Sequence, residues 1–403
     1  MKNKILSESL VKEISENEPS WMLKKREASW RIFNSLKFSD LADSPKSGQY
    51  TDAKLFELEK EFANEKASIS LESKKNGIIV CHLNDALNQY PSLIESHLYG
   101  SVKPSSHKLV ALNSALWNNG VFIYVPRNTS VSVPISTTIT IPYKSARTFT
   151  HTLIIADEGS TVNYFEENSS EMSEYPSYNS CVVEIFAKKN AIVNFFSLHG
   201  WGLSSLNFSW QGAALEEGAE INWHNGLFGG KLSILINESS FHGENSKTTN
   251  NGIFFLNKNQ HADISTNAYH QVPRTENQMD WRGILDDDAV SVYRGLIDIE
   301  PEAKKTKSNM KEHTIMLSKN AKSNAVPSLS IKTNDVQAKH GTTCGYIDEA
   351  ELFYLMSRGL SRSEAKKMIL LGFFNAFLEK IPFTEIKNKF ESKTNEKMKN
   401  AHE

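Results

Sequence analysis

The sequence predicts a mainly β protein whose core is a β-solenoid, with helical segments on both sides of that core. One short phrase recurs between residues 158 and 327: a turn of charged or amide residues, a small residue, and then alternating apolar positions. With the small residue as the marker, the copies lie at Ser160, Ala191, Ala219, Ala289 and Ala321. The steps between them are nearly equal except for the long one from Ala219 to Ala289, which a degenerate copy at 259–264 divides. Recurrence at a nearly constant step is typical of stacked repeats, because one unit cannot bury its apolar face alone.

Alternation of apolar and polar residues within each copy indicates strands rather than helices. Each step is expected to hold two coils, with the small residue at a tight corner and the following apolar residues pointing inward. Stacked parallel strands are predicted from about Gly120 to about Gln337, and Pro134 suggests a strand start or edge, since proline cannot donate a ladder hydrogen bond. We therefore predict a β-helix core at 120–345.

Residues 1–119 are predicted to form a mostly helical N-terminal domain. A helix opens at Glu18-Pro19-Ser20-Trp21, where the missing N–H of Pro19 costs little, and its apolar residues recur at helical spacing as far as Leu36. The other elements expected here are a polar loop at 44–48, a short helix at 54–62, a strand at 78–80 and helices at 84–98 and 107–117.

A helical C-terminal domain is predicted at 346–403, and its helix ends are marked by capping residues. Asp348 and Ser361 are each followed three residues later by glutamate, as in a capping box. Gly359 suits a left-handed stop between the two helices.

The two C-terminal helices are predicted at 348–356 and 362–379, the second ending before Pro382. The second helix is apolar nearly all round, which is typical of a helix buried in its own domain or in a partner. The charge-rich stretch 387–403 is expected to fray.

Composition is that of a soluble globular protein: 403 residues, 39% hydrophobic and 23% charged, with a net charge of −2. This balance predicts neither nucleic acid nor an anionic membrane as partner. There is no apolar run suited to a secretory signal or to a membrane span of roughly 20 residues. Cys81, Cys181 and Cys344 are widely scattered, which argues against a disulfide framework or a closed zinc site. A cytoplasmic protein is the expectation.

No group of residues predicts a self-contained catalytic site, so we expect a protein that is not an enzyme. His261 and His270 have no cysteine nearby and are interpreted as polar residues of solenoid turns, as are His199, His224 and His242. Residues 286–288 form an aspartate cluster that a glycan-cleaving solenoid enzyme could use. Other copies carry Lys-Asn or Glu-Gly at that offset, which favours a solvated turn. Neither a Walker-type phosphate loop nor a nucleophile elbow is present.

His340 is the one histidine with a distinctive setting. It lies in the run 339–345, which the sequence places at a hinge between the last strand and the C-terminal helices. Imidazole is an accepted iron or zinc ligand when held at the edge of a rigid element. An ordinary turn histidine and a metal ligand both fit these residues, and the residues alone leave the choice open.

Several segments carry a family resemblance as an ordered set. They are the run 352–361, Gly283-Ile284-Leu285, Tyr293-Arg294-Gly295, Pro327-Ser328-Leu329, the run 153–160 and Glu18-Pro19-Ser20-Trp21-Met22-Leu23. Together, from about residue 18 to about residue 385, they resemble the SufB/SufD family of scaffold proteins of the Suf iron–sulfur cluster assembly system. The resemblance implies a right-handed parallel β-helix between helical ends.

The hinge motif resembles the SufD branch of this family. SufB-type chains carry Glu-His-Glu-Ala there, with a cysteine some way upstream. Here the motif is Lys339-His340-Gly341-Thr342, and the upstream position falls near Glu312 or His313, so that cysteine is missing. The N-terminal Glu-Pro-Ser-Trp-Met-Leu phrase is closer to SufB.

The resemblance implies a non-catalytic subunit that pairs with a SufB-type protomer through the last β-helix strands. Each protomer would dock a SufC-type ABC ATPase through its C-terminal helices. An iron–sulfur cluster would be assembled transiently at the protomer interface, with His340 as the one cluster and metal ligand that transfers to this chain. The isolated chain is expected to bind no stable cluster, because its three cysteines lie in different regions. Cys344 is expected to be a buried small hydrophobe.

Partner-binding residues are expected on the C-terminal helices. They are Phe353, Arg358, Met368, Phe373, Phe374 and Phe377. The reason is that the last three phenylalanines cannot all face one small core. On this basis Phe377→Asp should abolish co-purification with the ATPase and leave the β-core folded.

Two other functions stay open at this point. One is a homodimeric scaffold with no cluster role of its own, which uses the C-terminal helices only for ATPase docking. The other is a solenoid carbohydrate-active enzyme, which the sequence favours less because such enzymes usually need secretion and this chain offers no signal peptide.

Overall fold

The computed structural model describes residues 6–37, 51, 56, 58, 63–64, 67–72, 77–141, 146–170 and 176–400. The loop expected at 44–48 and, apart from residues 56 and 58, the helix expected at 54–62 lie outside the described residues. The described helices are α1 Glu8–Ile14, α2 Ser20–Ser35, α3 Leu83–Gln89, α4 Pro91–His97, α5 Lys108–Leu116, α6 Glu349–Ser357, α7 Arg362–Leu378 and α8 Thr384–Asn400.

The strands fall into two sheets, and from the strand Asn119–Val125 onward successive strands alternate between them. One sheet contains β1 Ala63–Asn64, β3 Ile79–His82, β4 Asn119–Val125, β6 Ala146–Ala156, β8 Ser177–Ala187, β10 Ser205–Leu215, β12 Leu232–Phe241, β14 His261–His270, β16 Val290–Ile299 and β18 Lys322–Ile331. The other contains β2 Ser68–Glu72, β5 Ile135–Ile141, β7 Thr161–Ser170, β9 Ile192–Gly200, β11 Glu220–Leu227, β13 Lys247–Leu256, β15 Glu276–Leu285, β17 Thr306–Met316 and β19 Val336–Tyr346. We call them the ten-stranded and the nine-stranded sheet.

Strands β4 to β19 form a parallel β-solenoid of eight coils, each made of one strand from each sheet. The predicted fold class is therefore confirmed. At the first coil, β3 and β2 add antiparallel to β4 and β5, which covers that end of the sheets. At the other end β18 and β19 are the terminal strands. The division of the chain at 119/120 and 345/346 stays a prediction.

The expectation of two coils in each repeat step is wrong, because one step is one coil. Leu206 pairs with Leu232 on the next coil, and Val290 pairs with Lys322, so neighbouring strands of one sheet are separated by a single step of the repeat. The recurring phrase marks two different corners. Its first copies lead from the ten-stranded into the nine-stranded sheet, whereas the copy at Ala289 leads back. The long step between Ala219 and Ala289 is the place where the phrase changes corner.

The corner residues explain why the recurring phrase can be recognised in the sequence. Ser160, Ala191 and Ala219 are fully buried at their corners. Each follows a residue in the left-handed conformation, such as Asn190 with φ 57° and Gly218 with φ 66°. Asparagine and glycine tolerate that conformation best, so the amide or glycine before the small residue is a backbone requirement.

Three apolar clusters hold the molecule together. The first fills the solenoid interior, with Trp223 and Trp281 among its buried side chains. The second joins the N-terminal helices to the outer face of the ten-stranded sheet. The third joins α7 and α8 to the outer face of the nine-stranded sheet. Helices therefore cover opposite sheet faces, and the interior of the solenoid is left to the strands themselves.

Most N-terminal elements agree with the sequence. The helix that opens after Pro19 is α2, and Ile135 begins β5 directly after Pro134. The helix expected at 84–98 is two helices, because Pro91 lacks the N–H that would continue the ladder and opens α4 instead. The short antiparallel strand β2 was not predicted.

The tail is more ordered than the sequence indicates. Ser361 and Glu364 form the predicted capping box, and Gly359 has φ 99°, as a left-handed stop requires. Asp348 caps its helix through the N–H of Ala350.

The expectation that 387–403 frays is wrong as far as the description extends, since α8 runs through most of it. Ile386, Phe390, Thr394 and Met398 recur at every fourth residue and are buried against the sheet. A narrow apolar stripe in a charged stretch was enough to dock the helix.

Candidate functional site

The candidate site is the open end of the solenoid, formed by β18 and β19. Strand β18 pairs with β16 and β19 pairs with β17, and no described strand pairs with their other edges. A strand edge of this kind presents unpaired N–H and C=O groups that can accept another chain. Side chains on both strands are mostly exposed or half-buried, in contrast to the buried strands of the earlier coils.

His340 lies in the middle of β19, so its placement at a hinge after the last strand is corrected. It is exposed and stands in register with Met310 of β17. Met310 belongs to the solenoid interior. Paired residues of neighbouring parallel strands share a face, so the His340 imidazole lies on the inward side of an uncovered coil. The chain continues as a strand to Tyr346 because the Gly-Thr-Thr-Cys-Gly run pairs with β17 throughout.

Glu312 lies on the preceding coil, at the pairing Glu312–Thr342 next to the pairing of His340 on the same face. Its side chain is 1% exposed. Thr314 Oγ1 donates to one carboxylate oxygen, and the other oxygen has no partner among the described atoms. Burial raises the pKa of Glu312 to about 7. A buried carboxylate with a free oxygen is thus held close along the ladder to the histidine.

Cys344 is exposed, which corrects the expectation of a buried residue. Its register partner is Thr314, so its thiol lies on the same inward side as His340. Partial desolvation raises the pKa of Cys344, a contact with Ser323 lowers it, and nearby Glu312 raises it. Sequence reasoning missed both Glu312 and Cys344 as neighbours of His340. The available signal for Cys344 was its even spacing from His340 along one strand, and for Glu312 its inward position on the adjacent coil.

No group of three or more His, Cys, Asp or Glu residues suited to hold a metal ion occurs in the described part of the chain. His340 has the chemistry of one ligand.

Exposed apolar side chains concentrate beside this open end. Seven of the nine large apolar residues that are exposed in the described structure lie between 329 and 368. The most exposed are Phe353 at 73%, Tyr346 at 59% and Tyr354 at 56%. Such a patch beside an open sheet edge is typical of an interaction surface.

Three of the six expected partner-binding residues lie in this exposed region. Met368 on α7 is 51% exposed, close in sequence to the patch on α6. Arg358 is exposed and its guanidinium lies 5.2 Å from the Tyr354 ring centroid. With Phe353 they form an exposed set on the first two C-terminal helices.

The other three expected partner-binding residues face the chain's own fold. Phe374 and Phe377 are 0% and 2% exposed and pack on the nine-stranded sheet, which is a correction. Phe373 is half-buried and its ring lies 5.3 Å from the Arg282 guanidinium. The sequence argument assumed that only one small helical core was available. The outer face of the nine-stranded sheet offers a broader apolar surface, and Phe374 and Phe377 pack there. Phe377→Asp would therefore disturb the fold itself.

No described helix combines the length and the apolar character needed to cross a membrane. The fold defines a parallel β-solenoid protein in which no described strand pairs with the outer edges of the last coil.

Two family models match the chain. The model for the SufBD core domain, described as Suf-system iron–sulfur cluster assembly, matches residues 139–373, and the model for the SufBD N-terminal region matches residues 51–137. The chain belongs to the SufBD family of iron–sulfur cluster assembly proteins.

Staphylococcal relatives match over nearly the whole length. The iron–sulfur cluster assembly SufBD family protein of Staphylococcus saprophyticus is 30% identical over 417 residues, covering 94% of this chain and 90% of the relative. Those of Staphylococcus haemolyticus and Staphylococcus epidermidis are 29% identical with the same coverage.

Proposed function

We propose that this chain is a non-catalytic scaffold subunit of the Suf complex, with the cytoplasm as its location. It pairs with a SufB-type protomer through β18 and β19 and docks a SufC-type ATPase through α6 and α7. The iron–sulfur cluster is a transient cargo of the protomer interface, and His340 is the ligand that this chain contributes. The observation that carries the proposal is the last coil, where no described strand pairs with the outer edges of β18 and β19 and where His340 of β19 is exposed.

The backbone of β18 supports pairing with a second protomer. The backbone N–H groups of Lys322 and Lys332 point towards the preceding coil. They donate to the carbonyl oxygens of Ala289 and Ile299, at 2.9 and 3.0 Å. Because N–H direction alternates along a parallel strand, the odd-numbered residues between them face the free edge. Pro327 is one of these, so the native strand already lacks one outward donor without any loss to β16.

Two glycines of β19 also support close approach of a partner. A side chain at Gly341 or Gly345 would meet nothing within 4 Å, and neither residue has a positive φ. Glycine in a strand costs about 0.5–1 kcal/mol relative to alanine. Nothing in the described fold requires that cost, and a partner backbone that approaches β19 closely would account for it.

The pairing is tested with proline substitutions in β18. Ala325→Pro removes an outward-facing N–H and should abolish co-purification with a co-expressed SufB-type protomer while the chain's own melting temperature stays unchanged. Val326→Pro is the matched control, since its N–H faces β16 and its loss should lower the melting temperature. Unimpaired pairing of a folded Ala325→Pro variant would contradict the strand-edge interface. Self-association of the wild-type chain with no binding of the SufB-type protomer would favour the homodimeric scaffold.

ATPase docking is tested on the exposed patch. Phe353→Asp places a charge on a ring that is 73% exposed, so the fold should be unaffected and binding to the SufC-type ATPase should be lost. Val133→Asp, at a residue 56% exposed near the first coil, is the control and should leave binding intact. Equal binding by both variants would remove α6 from the proposed interface.

The role of His340 is tested by cluster reconstitution. His340→Ala should leave folding and pairing intact, because an exposed side chain fills no core volume. Visible absorption of the cluster should fall sharply in the SufB-type heteromer, and the isolated wild-type chain should hold no stable cluster. A chromophoric cluster on the isolated chain, or full cluster formation by the His340→Ala complex, would refute the assignment.

A further inference from the structure

A small cavity of mixed polar and apolar lining lies between α8 and the corners of several coils, and no residue of β18 or β19 lines it. Its volume is about 140 Å³. The corner side contributes Ser170, the Gly200-Trp201-Gly202 turn, Phe228 and the 257–260 turn. The helix side contributes residues 393, 396 and 397. Each coil therefore supplies one part of the wall, and α8 closes it.

The walls of this cavity carry excess positive charge. Lys258, Lys393 and Lys397 line it, and Glu396 is the one acidic residue among the lining residues. Lys393 Nζ donates to Glu396 Oε2 at 2.9 Å, so the negative charge of Glu396 is paired with one of the three lysines. Three ammonium groups facing one carboxylate leave two positive charges in a partly desolvated space, where attraction for an anion is strong.

Lys397 is the most unusual of the three. Its ammonium donates to Asn257 Oδ1 and to Gln260 Oε1, both at 2.7 Å. Both acceptors are neutral, and an ammonium has three N–H donors, so one donor is left over. Burial lowers the pKa of Lys397 to about 8; Glu396 raises it, and Lys258 and Lys393 lower it further.

The acceptors of Lys397 are held in place by the corner. Gln260 Oε1 also accepts the N–H of Asn257 at 3.0 Å, so this one oxygen is held by two donors. On the opposite wall, a side chain at Gly200 would contact Lys393 Cε at 3.3 Å. The glycine thus leaves the Lys393 chain room to lie against the corner. The ammonium groups of Lys393 and Lys397 are therefore positioned by the fold, and Lys258 is exposed beside them.

We infer that this cavity binds a small oxoanion of the phosphate or sulfate class, held by Lys397 and Lys393 with Lys258 at the rim. The charge requires an anion, and the third donor of Lys397 supplies a hydrogen bond to one of its oxygens. Cavities that enclose drug-sized ligands measure about 300–1,000 Å³. The smaller volume here excludes an enclosed nucleoside and leaves a free anion or the terminal phosphate of a larger molecule.

Titration calorimetry of the full chain with inorganic phosphate, at ionic strength held constant with chloride, tests the inference. Lys397→Met keeps the length of the side chain and removes the charge, and it should weaken phosphate binding at least tenfold. Lys399→Met removes the same charge from an exposed position two residues away on α8 and should change the affinity less than twofold.

A second measurement protects the test against misfolding. Circular dichroism of Lys397→Met should match the wild type, and the ¹⁵Nζ resonance of Lys397 should shift when phosphate is added to the wild-type chain. The same titration with adenosine monophosphate distinguishes the two sources of the anion. Tighter binding of adenosine monophosphate than of inorganic phosphate indicates the phosphate group of a larger molecule, and weaker binding indicates a free anion. The inference is overturned if the wild type shows no saturable phosphate binding, or if the Lys397 and Lys399 variants weaken it equally.

Discussion

The contrast between Phe377 and Phe353 gives the sharpest test of the C-terminal architecture. Phe377 is 2% exposed; its ring centroid lies 5.3 Å from that of Phe390 and 6.1 Å from that of His224 on the sheet. Truncation of a buried phenylalanine to alanine costs about 3–5 kcal/mol, from lost transfer energy and the remaining cavity. Phe353 is 73% exposed, so its truncation should change the free energy of unfolding by no more than about 0.5 kcal/mol.

Urea denaturation of both alanine variants, followed by hydrogen exchange of the amides in α7 and α8, measures these costs. Phe377→Ala should lower protection across both helices, because α7 and α8 share one apolar cluster with the nine-stranded sheet. Phe353→Ala should leave that protection unchanged. Losses of similar size in the two variants, or a loss below about 1 kcal/mol for Phe377→Ala, would refute the docking of α7 on the sheet.

Three further outcomes are expected. Glu184 is fully buried and accepts three backbone N–H groups from the 99–102 segment at 2.7–3.0 Å, so Glu184→Gln should cost about 2 kcal/mol in urea; a change within error would contradict its anchoring role. Gly218 has φ 66° and a side chain there would collide with Asn190 Oδ1, so Gly218→Ala should lower the melting temperature, and an unchanged value would argue against this corner geometry. Burial lowers the pKa of His199 to about 4, so only the unfolded chain takes up its proton as pH falls below 6.5, and about 3 kcal/mol of stability is lost by pH 4. His199→Gln should remove that share of the pH dependence, and an identical slope of stability against pH would disprove it.

The open end of the solenoid places a constraint on the isolated chain. Two strand edges that no described strand pairs with lie next to exposed Leu329 and Ile331, and such edges are a template for unwanted pairing. Pro327 removes one outward donor, and Lys322 and Lys339 add charge on exposed positions of the same coil. These features limit self-association without closing the edge to a specific partner, as the proposed pairing requires.

Sequence reasoning located the repeat but not the geometry of a coil. The phrase around Ala191 and the phrase around Ala289 look alike because both corners need a turn followed by a small buried residue. Their backbones differ: the left-handed residue directly precedes the small residue in the first case, at Asn190, and lies two residues before it in the second, at Asp287. The two corners have similar local requirements, so the phrase alone did not show that one repeat step is a single coil.

The candidate site was also predicted only in part from the sequence. His340 was identified by its motif, because a histidine followed by glycine is a local pattern. Its neighbourhood with Glu312 depends on the register of β17 against β19, and register links residues that lie a whole coil apart in sequence. No pattern within one strand specifies which residue of the next coil lies beside it.

By itself, the sequence determined the stacked parallel architecture, the helical flanks, both caps of α6 and the N-terminal cap of α7. Each follows from short-range requirements: strand alternation, tight corners and helix capping. Only the tertiary structure decided which apolar faces are covered. Phe374, Phe377 and the stripe on α8 bury against a sheet assembled from coils far away in sequence, whereas Phe353 on α6 finds no such surface among the described residues. The physical reason is that burial depends on surfaces brought together from the whole chain, and a helix carries the same apolar residues whether its partner is its own sheet or another protein.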